Sequence, residues 1–324
     1  NGVCDFCNDY KENILPKWNP SDNNPELELV AERIRQAGKG KKYDCIIGLS
    51  GGVDSSYLCY IAKVKMKLRP LVFVVDTGWN LNVAVENIER IVKTLDLDMY
   101  TEVVNWNEMR DLQLAFFKAQ VPYQDLPQDH AIFAALYNYA VKNGVKYVLT
   151  GANNSTECIR PPVEWVYQND ITFIKDVHRI FGKVPLKTFP LCGMVKYRIF
   201  YPYFKGMKRV APLNIVEYDY EKVKIFLQEY FGWQPYENKH YENVFTRFYE
   251  GYYMPHKFGY DKRKCYFSNL ILTGSMTREE ALRELEEAPY AADMIQEDKE
   301  YVAKKLGISV DEFDTLVEGE NKTF

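Results

Sequence analysis

Two kinds of apolar pattern alternate along this chain. Short continuous runs, too short for helices, are separated by longer segments whose apolar positions recur every three or four residues. The runs predict strands over Tyr43–Leu49, Pro70–Asp76, Met99–Val104 and Val145–Thr150. The longer segments predict helices over Pro25–Gln36, Val53–Val64, Asn80–Leu95 and Asp129–Asn143. Strand and helix in turn make an α/β fold, a doubly wound and mainly parallel sheet. Lys118–Pro127 reads as a proline-broken loop, and 155–206 as a long loop-rich insertion of weak periodicity. Beyond it, Asp219–Phe231 has the spacing of an amphipathic helix closed by Gly232. Thr277-Arg278-Glu279-Glu280 and Ser309-Val310-Asp311-Glu312 are capping boxes, so small helices finish the chain. The expected division is an arm at 1–24, a sheet domain at 25–215 and a helical region at 216–324.

Composition narrows the setting. The 324 residues suffice for one full α/β domain and a smaller second one. No apolar run approaches the ~20 residues of a membrane span, and no signal peptide is visible. With a net charge of −4 the chain has no overall basic footprint, which counts against a nucleic-acid partner. Seven cysteines, an odd number, suit a reducing compartment better than a disulfide framework. A cytoplasmic location is expected.

The chemistry centres on the end of the first strand. After Leu49 come Ser50-Gly51-Gly52-Val53-Asp54-Ser55-Ser56, and a helical pattern follows at once. Glycines at a strand-to-helix turn let successive N–H groups converge where the helix N-terminus adds partial positive charge. The result is an anion cradle. It lacks the lysine of G-x-x-x-x-G-K-[ST]; the hydroxyls of Ser50, Ser55 and Ser56 stand in as pyrophosphate donors, with Asp54 to hold magnesium. Two further strand ends carry polar or glycine clusters: Asp76-Thr77-Gly78-Trp79-Asn80 and Thr150-Gly151-Ala152-Asn153-Asn154. In doubly wound sheets ligands bind at such ends, so Asp76, Thr77 and Gly151 are assigned to the same nucleotide site.

Other polar groups are candidates for substrate contact. Asn80, Asn154 and Glu157 belong to or follow the strand-end clusters. His130 is a packed helix-start residue or a substrate contact, and Asp129 before it caps that helix. His178 and Arg179 meet an anionic sugar or phosphate, or are a surface charge cluster. Arg160 and two prolines lie between. Lys257, Lys262, Arg263 and Lys264 gather in an otherwise acidic chain, as a solvated run or as phosphate contacts. Cys4 and Cys7 form one C-x₂-C pair. That is half of a tetrahedral zinc site, to be completed upstream or by Cys192 or Cys265, or else an unmetallated or redox pair.

The loop resembles the SGG-x-D-S signature of the PP-loop ATP pyrophosphatases. A narrower resemblance rests on Gly2-Val3-Cys4-x-x-Cys7, Asp76–Asn80, Phe245-Thr246-Arg247-Phe248, Lys257–Arg263 and Gly274–Leu282. Together these look like the N-acetyl sugar amidotransferases of bacterial surface-polysaccharide synthesis, over essentially the whole chain. That resemblance implies an adenine-nucleotide hydrolase-like fold and ATP, magnesium and zinc as cofactors. It implies that an N-acetyl oxygen attacks the α-phosphate to give an adenylated imidate, which ammonia converts to an acetamidino group. Lys257, Lys262 or Arg263 would neutralise phosphate charge. It also implies a further upstream C-x₂-C, and an asparagine where Thr77 stands.

No glutaminase signature is present: Cys192 sits in Pro190-Leu191-Cys192-Gly193-Met194, and residue one is Asn1. A separate glutaminase subunit is therefore expected, and the resemblance implies the same, with a cyclase-like ammonia-channel subunit between the two. Competing readings are a tRNA thiolase, another PP-loop amide synthetase acting on a carboxylate, and a non-catalytic nucleotide sensor.

Overall fold

The fold is given by a computed structural model, which describes residues 2–157, 169–236 and 241–321. Arg160 with its two prolines lies outside the described residues.

Five parallel strands make one sheet in the order β3-β2-β1-β4-β5. They are β1 (Cys45–Gly48), β2 (Pro70–Asp76), β3 (Asp98–Val103), β4 (Tyr147–Leu149) and β5 (Lys208–Val210). β1 and β2 are central and covered on both faces, which is why they read as unbroken apolar runs. β3 is an edge strand with exposed side chains. The order runs outward from β1 in both directions, so the switch point falls between β1 and β4.

Alternation along the strands sorts the core into two layers. Cys45, Ile47, Val72 and Val74 face one way, toward the helices Pro25–Ala37, Val53–Tyr60 and Tyr220–Phe231. Ile46, Leu71, Phe73 and Val75 face the other, toward Trp106–Ala119, Leu126–Lys142 and Ile171–Phe181. The helix at Tyr220–Phe231 thus packs directly on the sheet through Val223, Leu227 and Phe231. A third, aromatic cluster joins Trp79 and Phe117 to Phe245, Phe248, Tyr253 and Phe313, so the C-terminal helices dock where β2 ends.

The sheet and most predicted helices are present, with ends shifted by a few residues. Four elements differ from expectation. Trp106–Ala119 is a helix, started by the Asn105 side chain accepting from the Asn107 and Glu108 N–H groups. Leu126–Lys142 begins before Asp129, because Pro127 in the first turn starts a helix rather than breaking one. The insertion contains the helix Ile171–Phe181, capped by Asp170, and an unforeseen fifth strand, Lys208–Val210, follows just after it. Both predicted capping boxes close as expected.

Candidate functional site

β1 ends at the switch point, and the chain turns through Leu49, Ser50 and Gly51 into the helix Val53–Tyr60. Gly51 has φ +85°, and a Cβ there would lie 2.5 Å from the Ala84 carbonyl oxygen. Only glycine fits. Gly52 occupies the N-cap position and supplies no side-chain cap, so the first turn points its N–H groups toward the mouth of the loop. The Ser50 hydroxyl accepts from the Gly52 N–H at 3.2 Å and meets the Ser55 hydroxyl at 3.2 Å. These bonds hold the turn in a cradle shape before any anion arrives.

The cradle is braced from behind by residues far along the chain. The Gly51 carbonyl accepts from the Trp233 indole at 2.8 Å and from the Tyr236 hydroxyl. The Tyr218 hydroxyl donates to the Asp54 carboxylate. The β4 turn crosses so closely that a Cβ on Gly151 would lie 3.2 Å from the Asp54 backbone carbon. β1, β4 and the C-terminal half thus meet at one point.

Three adjoining cavities surround it. The first, about 600 Å³, is lined by Ser50, Gly52, Asp54, Ser55, Glu157 and Glu242 among others. Gly151 and Val53 also contribute to it. The second, about 1250 Å³, spans the carboxyl ends of β1 and β2, from Gly48 and Val74 to Asn80, and is roofed by Asn243 and Thr246. The third, about 1070 Å³, combines rings of Tyr220, Tyr241 and Tyr266 with the cations Lys224, Lys262 and Arg263. Ser50 and Glu242 line both the first and second; Glu250 and Lys262 line both the second and third.

The walls are polar and tightly bonded. Gln128 is the hub: its Oε1 accepts from Thr77 and Asn243, each at 2.8 Å, and its Nε2 donates to Asp125 and Thr246. Burial pushes the Asp125 carboxyl well above its ordinary value, and the nearby Asp129 adds to this. Burial likewise raises Glu242, against a hydrogen bond from Ser50. At Lys262 burial opposes the charge, but Glu250 and Tyr266 outweigh it and hold the ammonium above its usual range.

The structure brings together Ser50, Gly52, Val53, Asp54, Ser55, Gly151 and Glu157 at the first cavity, with Asn80 and Lys262 at the second and Arg263 at the third. Other residues expected at the site are engaged elsewhere. Ser56 is wholly buried behind the turn, on the inner face of its helix. Asp76 folds back on the Gly78 N–H at 2.8 Å, and Thr77 is buried on Gln128.

His130 is buried, accepting from the Cys192 N–H at 3.2 Å, and is a core residue rather than a substrate contact. The Asn154 N–H is tied to Asn214. His178 meets the Val184 carbonyl at 2.8 Å and fixes the end of its helix, while Arg179 pairs on the surface with Asp176. Lys257 donates to the Val317 and Gly319 carbonyls, where it caps the last helix instead of neutralising phosphate. Arg263 reaches its cavity but is forked onto Asp261.

Cys4 and Cys7 lie with sulfurs 3.5 Å apart. Among the described residues no group of three or more His, Cys, Asp or Glu side chains could hold a metal ion. Cys192 is buried beside His130, and Cys265 lies against Tyr260, so neither completes the pair. Among the described residues no helix is long and apolar enough to cross a membrane.

Sequence reasoning missed Glu242, Gln128, Tyr218, Trp233 and Tyr236. Glu242 and Asn243 stand just before the Phe245–Phe248 tract, the one signal that pointed toward them.

Residues 242–324 match a family: the C-terminal domain of LPS biosynthesis protein WbpG-like proteins. The matched segment begins at Glu242, where the first and second cavities meet. An uncharacterized protein of Methanocaldococcus jannaschii, MJ1599, is 28% identical over 126 residues. That match covers 39% of this chain and 43% of MJ1599, so the chain spans less than half of that relative's length.

Among solved structures, an NH3-dependent NAD synthetase from Campylobacter jejuni is similar at 14% identity and a TM-score of 0.37, covering 92% of this chain and 97% of that one. The NMN synthetase of Francisella tularensis gives 14% and 0.32, over 66% and 98%. The U34-tRNA thiolase NcsA of Methanococcus maripaludis gives 14% and 0.35, over 80% of each. The fold rests on the strand order itself, not on these likenesses.

Proposed function

We propose that this protein is an ATP-dependent amidotransferase that converts the N-acetyl group of a sugar, carried on a nucleotide, to an acetamidino group. The supporting observation is that the Ser50–Ser55 cradle opens through shared walls into both a slot at the β2 end and a chamber of aromatic rings and cations. One molecule needs a phosphate cradle; two reacting molecules need the neighbouring rooms as well.

In this reading the first-turn N–H groups and the Ser50 and Ser55 hydroxyls bind the β- and γ-phosphates of ATP. The slot between Val74 and Asn80 takes the adenosine, and Tyr220, Tyr266, Lys224 and Arg263 take the sugar nucleotide. Asp54 lines the first cavity, and one carboxylate completed by phosphate oxygens and water is a hard donor set that suits magnesium. The ion would neutralise charge building on the departing pyrophosphate.

The amide oxygen forms a bond to the α-phosphorus as the bond to the pyrophosphate oxygen breaks. Ammonia then adds to the imidate carbon, gives up protons to the sugar nitrogen and to AMP while keeping at least one, and the carbon–oxygen bond breaks to release AMP. The protein's contribution is positioning and charge neutralisation. Ammonia is to come from a separate glutaminase, through a cyclase-like subunit. Zinc at Cys4 and Cys7 needs donors from outside the described residues.

The test is incubation with ATP, ammonium and N-acetylated sugar nucleotides, following AMP and the product by mass. One AMP per acetamidino sugar is expected, and Asp54→Ala abolishes both while the melting curve is unchanged. AMP release driven by tRNA and a sulfur donor, or by a carboxylate, with no response to any amino sugar, would replace this reading.

A further inference from the structure

Between Lys183 and Val216 the chain contains no Asp or Glu and seven Lys or Arg, within a protein of net charge −4. The middle of this stretch, Lys196–Phe204, is a wide helical turn interrupted by Pro202. Its inner side is anchored. Tyr197 packs edge-on against Phe133 and Tyr137, with ring centroids 4.7 and 5.0 Å apart, and Lys196 donates to the Asn138 side chain at 2.9 Å. Tyr201 is buried and also bonds Asn138.

The outer side is apolar and bare. Tyr203, Phe204 and Val195 are 81%, 72% and 71% exposed, the three most exposed large apolar side chains among the described residues. Ile199 and Phe200 adjoin them. Phe200 and Phe204 stack at 5.7 Å, and the Lys205 ammonium lies 5.4 Å from the Phe200 ring. A rigidly anchored patch of this kind, rimmed by charge, marks a contact surface.

Its position says what it contacts. After Gly206 the chain enters β5, whose Lys208 pairs with Tyr147, the first residue of β4. The patch therefore lies toward the amino ends of the strands, whereas the cradle and its cavities lie at the carboxyl ends. A partner delivering ammonia or substrate must face the cavities, so this end is unsuited to it. A second copy would set cations against cations. An anionic bilayer complements both features at once, the cationic rim and the aromatic tip.

We propose that the Lys196–Phe204 segment, with Lys205, Lys208 and Arg209, docks on an anionic membrane surface. Tyr203 and Phe204 enter the headgroup region, and the nucleotide cavities stay turned toward solvent. The contact is peripheral and reversible, since one short segment offers far less apolar area than a membrane-spanning helix.

The experiment is co-sedimentation of the full chain with vesicles of phosphatidylglycerol and phosphatidylethanolamine, against vesicles of phosphatidylcholine alone. Binding to the anionic vesicles, weakened by salt, is expected. The double variant Tyr203→Ser/Phe204→Ser should lower partitioning by roughly tenfold or more. Lys205→Glu/Lys208→Glu should do the same, and both should melt like the unaltered protein. In Phe204→Trp, the tryptophan emission should shift to the blue with anionic vesicles alone. Equal recovery in the supernatant with both vesicle types, or variants that bind as the parent does, would overturn the proposal. The face would then be assigned to an acidic protein partner.

Discussion

The Tyr218 hydroxyl donates a hydrogen bond to the carboxylate of Asp54, 164 positions earlier in the chain. Tyr218 is buried, and burial together with the charge of Asp54 pushes its phenol well above the ordinary value, so the proton stays on the tyrosine. The bond aims a carboxylate that stands on the first turn of the loop helix. Tyr218→Phe should raise the magnesium-ATP concentration needed for half-maximal AMP formation by roughly tenfold, the worth of one hydrogen bond to a charged group. Titration of magnesium at fixed ATP is the measurement. An unaltered magnesium requirement would show that Asp54 is oriented by its other contacts.

Gly51 and Gly52 should respond differently to the same change. Gly51→Ala places a methyl group 2.5 Å from the Ala84 carbonyl oxygen at a φ of +85°. The expected strain is about 1–3 kcal/mol, released by moving the cradle. Gly52→Ala meets only side-chain atoms, Glu242 Oε1 and Ser50 Oγ, each at 3.2 Å, with an ordinary φ. Calorimetric titration with ATP should show binding lost in the first variant and merely weakened in the second. Equal affinities would mean the turn does not cradle phosphate.

Arg247 and Asp298 join two helices of the C-terminal region through paired bonds of 2.8 and 2.7 Å. Both side chains are largely shielded, and the Tyr290 hydroxyl also donates to Asp298. Arg247→Met leaves a buried carboxylate without its cation, which should cost about 3 kcal/mol or more. Arg247→Met/Asp298→Leu should recover much of that loss. Urea unfolding of the parent and both variants decides it; a double variant as unstable as the single one would show that packing, not the stranded charge, sets the cost.

Asp125 should make stability fall as pH rises. Its carboxyl is raised in the folded protein by burial and by Asp129 and Glu250, against a hydrogen bond from Thr246 and the charge of Lys262. The folded state therefore holds a proton that the unfolded chain releases above about pH 4. The stabilising effect is complete below that pH and is lost as pH climbs toward the raised value. Asp125→Asn carries no such proton. Its melting temperature relative to the parent should improve steadily from pH 4 to neutrality. A constant difference across that range would mean that Asp125 ionises normally.

Two helices were illegible in the sequence for opposite reasons. Trp106–Ala119 is covered on several sides: Met109, Leu112 and Phe116 face the sheet, while Phe117 enters the aromatic cluster of the C-terminal helices. A polar stripe does remain at Asn107, Arg110, Asp111 and Lys118, but Glu108 and Gln113 are buried on the apolar face and blur the period. Ile171–Phe181 has a clear buried stripe at Ile174 and Val177, but its charged ends read as chemistry. The cations show the same ambiguity. Lys257 and Lys262 look alike in sequence, yet one caps a helix and the other sits between two cavities.

By itself the sequence determined whatever depends on neighbours within a few residues. Strand runs, capping boxes and the glycine turn at the end of β1 are of this kind, because backbone preference and hydrogen bonding there are local. Only the tertiary structure decided which groups share that site with Ser50 and Asp54. Tyr218, Trp233, Tyr236 and Glu242 reach it across separations of up to 192 residues, the distance in sequence from Ser50 to Glu242. A side chain's charge, partners and access to a ligand are set by what packs against it, and packing joins residues that no local pattern connects.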